Sequence, residues 1–286
     1  MPLSATQKCV IINADDFGFS EGVSRGILRA HLQGVVTSTT VAANMPAAGP
    51  SLSLLRDAPR LGVGVHLNCT QGPPLSDLGR AMLAGPDGRM NFTAMGVIIA
   101  CLWQPRLVKA IEAEFDAQIR WALDHGLKPT HLDSHRHSHA FCPIFKAAAG
   151  LARRYDIAFI RRHRERLPGA WPACPRKQRR VSAVLNIVGA INHRHGGPMA
   201  ATSGTWGIAH TGQIDAAWLT QAAASVGAGV TEIMVHPGQG GGDLDASTTR
   251  LLDSRRIELE ALCDASVARA FEEHGVRRIN YGDLRQ

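Results

Sequence analysis

Residues 130–141, THLDSHRHSHAF, place His131, Asp133, His135, His137 and His139 at alternate positions. Alternate side chains of an extended chain share a face, so a strand here would gather five titratable groups on one side. Imidazoles and carboxylates are the donors of divalent metal sites and the usual agents of proton transfer. Three other short stretches carry the same residue types. Asp15 and Asp16 are adjacent, His66 follows an apolar run, and His236 follows another.

The elements that must position these groups alternate along the chain. KCVIINA (8–14), VVTSTTVAAN (35–44), LGVGVHLN (61–68), THLDS (130–134), IAFIR (157–161), VTEIMVHPG (230–238) and RRIN (277–280) are rich in β-branched and apolar residues and read as strands. Helices are expected between them. One is capped by Ser20 and runs to about His31, and another spans 46–59. Further helices are expected at 106–126, where Ile111, Phe115, Ile119 and Ala122 recur at helical spacing, and at 143–155, 181–192, 215–227 and 248–274. Residues 71–105 are rich in Gly and Pro and read as a long irregular excursion of the kind that builds lids. The glycine-rich stretch 238–243 lacks a following helix and a Lys-Ser/Thr ending, so it is not a phosphate-cradling loop.

Alternating strands and helices predict an α/β fold with a parallel sheet and helices outside, and ligands collect at the carboxyl ends of such strands. The polar residues fall at those ends: Asn13, Asp15 and Asp16 after the first strand, and Asn44 after the second. His66 and Asn68 follow the third, Asp133 and His135 come in the 130s, and His236 follows the 230s strand. Two carboxylates and three imidazoles converging on one mouth are costly to desolvate without a shared cation. With no thiolate nearby, the set suits one divalent ion, zinc first, and admits cobalt, nickel, iron, manganese or magnesium. Such an ion lowers the pKa of a bound water to about 7 and prepares it for attack on an acyl carbon.

Composition narrows the class. The chain has 286 residues, 45% hydrophobic and 19% charged, enough for a full core in one domain spanning 1–286. Six cysteines include no C-x-x-C pair, which argues for reduced thiols rather than a disulfide framework or zinc knot. The N-terminus lacks the long apolar core of a signal peptide, and the longest apolar run, MGVIIACLW (95–103), is too short to span a bilayer, so a cytoplasmic protein is expected. The formal charge of +7 is concentrated in residues 153–180, where ten Lys or Arg face Asp156 and Glu165, a net of +8. Such a segment, with an irregular excursion near 162–180, reads as solvated surface or as a landing site for an anionic partner. Aromatic residues are too sparse there for a nucleic-acid surface.

INADDFGFS, GVVTSTTVAAN, VGVHLN, KPTHLDSHRHSH and VHPG together resemble the YdjC-like carbohydrate deacetylases, in family order from residue 12 to residue 238. The resemblance implies a deformed (β/α) barrel of mainly parallel strands, one divalent metal, and hydrolysis of an N-acetyl group from an amino sugar. Carried over by motif, it implies Asp16, His66 and His135 as metal ligands, Asp15 as general base and His236 as the acid for the leaving amine. Asp133 would orient a ligand. Asn44, Asn68, Arg136, His137 and His139 are candidates for substrate contact, and His131 is structural. Arg136 departs from the family pattern in this motif and, with the basic segment, favours an anionic substrate: the sugar would carry a phosphate, a nucleotide or a lipid. Nucleic acid is not expected as a partner, and a homodimer is compatible with the sequence. Competing readings are another metal-dependent amidase or phosphoesterase, and a non-catalytic sugar-binding protein.

Overall fold

The computed structural model describes residues 6–166, 174–196, 202–240, 243–244 and 249–285. The strands are β1 (Lys8–Phe17), β2 (Ser38–Val41), β3 (Gly62–Leu67), β4 (Gln71–Gly72), β5 (Met90–Asn91), β6 (His131–Ser134), β7 (Phe159–Ile160), β8 (Gly204–Trp206), β9 (Gly229–Val235) and β10 (Val276–Arg278). The helices are α1 (Glu21–Leu32), α2 (Ala48–Ser51), α3 (Asp77–Met82), α4 (Ala94–Trp103), α5 (Arg106–Asp124), α6 (Cys142–Arg154), α7 (Arg176–Gly196), α8 (Ala216–Ser225), α9 (Asp253–Leu262) and α10 (Ala265–Glu273).

The main sheet runs β7-β6-β3-β2-β1-β9-β8, and β10 also pairs with β1; every one of these pairings is parallel. β1 is buried from Cys9 to Phe17, as expected of a central strand covered by helices on both faces. The sheet curls into part of a barrel rather than a closed one: among the described residues β7 and β8 each have a single neighbour. All five strand ends of interest, on β1, β2, β3, β6 and β9, lie within this sheet and point the same way.

Local chemistry explains the elements. The Ser20 side chain accepts from the Val23 N–H and starts α1. α5 turns Leu107, Ile111, Phe115, Ile119 and Ala122 inward and ends before Gly126, whose φ of +79° is the left-handed conformation common after a helix. The same buried face of α5 carries Glu114 and Gln118. Glu114 accepts from the backbone N–H groups of Leu75 and Ser76, and Gln118 donates to the Asn68 carbonyl.

Several boundaries differ from expectation. The excursion at 71–105 is ordered into the hairpin β4–β5 and helices α3 and α4, fastened by those α5 contacts, which no local pattern announces. The helix expected at 248–274 is two helices, because Asp264 interrupts it and caps α10 by accepting from the Ser266 N–H. α7 begins earlier than 181, and β2 ends at Val41 rather than Asn44. Parts of the 162–180 excursion and of the 238–243 glycine stretch lie outside the described residues. All six cysteines are free, and no helix among the described residues is long and apolar enough to cross a membrane.

Candidate active site

The adjacent carboxylates of Asp15 and Asp16 should point to opposite faces of a regular strand. They do not, because the β1–β2 register shifts between Ala14 and Phe17, and Asp16 takes a φ of +72°. This bulge turns consecutive side chains toward one mouth, at a cost of about 1 kcal/mol or more for a non-glycine residue there. Gly18, at φ +92°, completes the turn; a Cβ on it would lie 2.7 Å from the Ala48 Cα.

His66, from the carboxyl end of β3, points its Nε2 at Asp16 Oδ1 at 3.2 Å. His135, just past β6, points its Nδ1 at the same oxygen, also at 3.2 Å. The other polar atoms of this trio are already engaged. His66 Nδ1 donates to Asp133 Oδ1 at 2.7 Å, and Asp133 also accepts from the Thr40 hydroxyl. Asp16 Oδ2 accepts from Arg255 at 2.5 Å, and His135 Nε2 lies 3.3 Å from Gln71 Oε1. Asp16 Oδ1 and His66 Nε2 are buried without a hydrogen-bond partner. Burial alone would lower the His66 pKa, but Asp133 and Asp16 outweigh it and raise it to about 10, so without a metal a proton on Nε2 bridges to Asp16 Oδ1; a divalent cation would take the place of that proton. The donor set, one carboxylate oxygen and two imidazole nitrogens, fits a divalent metal. A second cluster of ligand-type residues, Asp15, His66 and Asp133, is less suited, since its carboxylates are already paired.

Asp15 is held differently. Arg161 donates to both of its oxygens at 2.6 Å and through Nε to Glu232 at 2.9 Å, and forms an ion pair with Asp133 at 3.0 Å; all four residues are buried. Burial alone would raise the Asp15 pKa, but the charge and hydrogen bonds of Arg161 outweigh it and hold it well below the usual carboxylate range. Asn13 bridges Asp15 to His131 (Nδ2 to Asp15 Oδ1 2.9 Å, Oδ1 to His131 Nε2 3.0 Å). His131 is also stacked on Tyr281, a structural position as expected. His236 closes the opposite side. Its backbone N–H donates to Glu258 at 2.6 Å, its Nδ1 is buried without a partner, and burial lowers its pKa to about 4.

Asp15, Asp16, His66, His135, Arg136, His137 and His236 line one cavity of about 660 Å³. Its outer wall adds the cations Lys177 and Arg250 and the apolar side chains of Val181, Ile208, Met234 and Leu251. Arg136 and His137 reach it because both adopt left-handed backbone, φ +53° and +56°, which breaks the alternation that began on β6.

Three sequence candidates are not brought to the cavity. Asn44 and Asn68 bond to each other and to the Gln71 and Pro73 carbonyls, fixing the start of β4. His139 is buried between the Ser134 hydroxyl and the Arg161 carbonyl. The expectation that Arg161 belongs to a solvated basic surface is overturned: it is 1% exposed and sits behind Asp15. Arg255, equally hidden behind Asp16, carries no signal in the sequence; it lies in the first turn of α9, in a charged run.

Comparison with known proteins places these features in a wider set. A family model described as YdjC-like protein matches residues 9–273. A protein of Brevibacillus brevis named carbohydrate deacetylase is 29% identical over 282 residues, covering 96% of this chain and 99% of that one. One of Halalkalibacterium halodurans with the same name is 40% identical over 148 residues, 52% of this chain. The chain spans only 61% of that relative's length, and 57% of a Geobacillus stearothermophilus relative at 42% identity. A crystal structure from Enterococcus faecalis V583, named for cellobiose-phosphate cleavage, superposes with a TM-score of 0.77 at 25% identity. That match covers 98% of this chain and 99% of the other.

Proposed function

The chain belongs to the YdjC-like protein family, and on that premise we propose that it is a metal-dependent carbohydrate deacetylase that hydrolyses the N-acetyl group of an amino sugar to acetate and a free amine. The observation that carries this reading is the pair of unpartnered buried atoms, Asp16 Oδ1 and His66 Nε2, facing each other beside His135 Nδ1 at the floor of an open cavity. The names of the Brevibacillus and Halalkalibacterium relatives support the reaction class.

Asp16, His66 and His135 would hold one divalent ion, zinc being the best match to the donors and magnesium, cobalt, nickel or manganese the alternatives. When bound, such an ion lowers the pKa of water and polarises the amide carbonyl. Asp15, kept ionised by Arg161 at every working pH, accepts the proton of the attacking water. Asp133 holds the His66 ring in the tautomer that presents Nε2. His236 is neutral in the resting protein because burial opposes its charge. Negative charge developing on the tetrahedral carbon's oxygen favours uptake of a solvent proton by His236, which passes it to the nitrogen as the C–N bond breaks, while Asp15 returns the proton it took from water to solvent when acetate leaves.

Arg136, Lys177 and Arg250 on the cavity wall favour a sugar bearing an anionic substituent such as a phosphate. Acetate release measured across neutral and anionic N-acetylated saccharides, with and without added divalent metal, tests the proposal. Metal-dependent acetate from at least one sugar is expected. Phosphate release without acetate, or no release from any of the panel, would remove the deacetylase reading.

A further inference from the structure

Helix α7 is apolar on both sides. Its buried side packs Leu185 and Val188 against Ala140, Ile208 and Met234, and mixes in polar groups: Gln178 donates to the Thr211 carbonyl, Ser182 to Glu165 and Asn192 to the Ala140 carbonyl. Its outer side carries Val184, Ile187 and Ile191, with Ile187 65% exposed. A surface helix normally turns a polar face outward. Helix α4 repeats the feature with no charged residue at all: Ile99, Leu102 and Trp103 are exposed, Trp103 by 84%. Both helices enter the cavity wall at their start, through Thr93 and Ala94 before and in α4, and through Lys177, Gln178 and Val181 in the first two turns of α7. Two helices that start at one mouth and carry exposed apolar surface further along mark an interaction face rather than scatter.

Charge identifies what covers it. α7 opens with Arg176, Lys177, Arg179 and Arg180, and neither α7 nor α4 contains an acid. An aliphatic stripe flanked by cations, with a tryptophan at the edge, is the composition of a helix that lies in an anionic membrane interface. A second copy of the chain fits less well, because a twofold contact through this face brings no acid from either helix to pair with the four cations. We propose that the α4–α7 face docks on an anionic lipid surface, seating the cavity mouth at the bilayer. The inference stands apart from the chemistry assigned to the cavity.

The full chain would be sedimented with vesicles of phosphatidylcholine alone and with vesicles containing about one third phosphatidylglycerol. Binding to the anionic vesicles is expected, weakened by salt. It should fall roughly 20–30-fold in Arg179→Gln/Arg180→Gln, at about fivefold per removed charge. It should fall at least about tenfold in Leu102→Glu/Trp103→Glu and in Val184→Glu/Ile187→Glu. These positions are exposed, so the wild-type unfolding midpoint should persist in each variant. Equal binding to both vesicle types, no binding to either, or binding that survives all three variants overturns the proposal. So does a concentration-dependent doubling of mass in light scattering that Val184→Glu/Ile187→Glu abolishes, which would assign the face to a second copy.

Discussion

Replacing Arg161 separates two incompatible roles for the same residue. A cation on a solvated landing surface should affect substrate affinity alone. The structure instead buries its guanidinium among Asp15, Asp133 and Glu232 at 2.6–3.0 Å. Arg161→Met keeps the volume and removes the charge, leaving three carboxylates in the interior without their common partner. Breaking one buried pair in this way costs about 3–5 kcal/mol. For a chain of this length that corresponds to a fall of about 5–8 °C in unfolding temperature. The freed carboxylates should bind protons more readily, so the variant's Asp15 loses its fixed charge and its fixed position. A misplaced or protonated base costs on the order of 100-fold in kcat, with KM little changed. Arg161→Lys restores a charge but not the fork that reaches both Asp15 oxygens, and should recover stability more than turnover. Thermal unfolding followed by calorimetry, with kcat and KM on an N-acetylated substrate, makes the comparison. An Arg161→Met protein with an unchanged midpoint and only a raised KM would refute the assigned position and the physical reasoning behind it.

Asp15→Asn should keep its metal content and lose about 10²–10⁴ in turnover, read by elemental analysis beside an acetate assay; an emptied site would make Asp15 a ligand. His66→Ala and His135→Ala should each lose the bound ion, and full occupancy in both would break the ligand assignment. Acid should destabilise the protein. Burial lowers the pKa of His131, His163, His139 (to about 3) and His236 (to about 4), so below pH 6.5 the unfolded chain takes up protons that the folded one refuses. Each such group removes about 1.4 kcal/mol per pH unit as pH falls from 6.5 toward 4. Burial also raises Glu258, to about 7, and Asp133, Glu165 and Glu232, and protonation of these four acids in the fold opposes the loss as pH falls. With His135 and His137 also lowered by burial, six histidines outnumber the four acids, so denaturant midpoints should drop between pH 6.5 and 4.5; a rise across that interval would refute the neutral assignments.

The alternation of strands and helices, and the placement of Asp15, Asp16, His66, His135 and His236 at strand ends, were legible in the residues. Both rest on periodicity, which is local: a few neighbouring residues decide which face is apolar and where a strand stops. The ordering of 71–105 was not legible, because it depends on Glu114 and Gln118 reaching across from α5. Nor was the burial of Ser182, Gln178 and Asn192 on α7, which makes sense only beside Glu165, Thr211 and Ala140.

The chain by itself determined which chemical groups are available and that a parallel sheet would carry them to one end. Only the folded molecule decided how they are aimed. The β1 bulge turns two successive carboxylates into one mouth. Arg161 and Arg255 then fix them from 146 and 239 residues away. Charges buried at such separations are paired by the geometry of the whole sheet, and no local pattern in the sequence encodes that meeting.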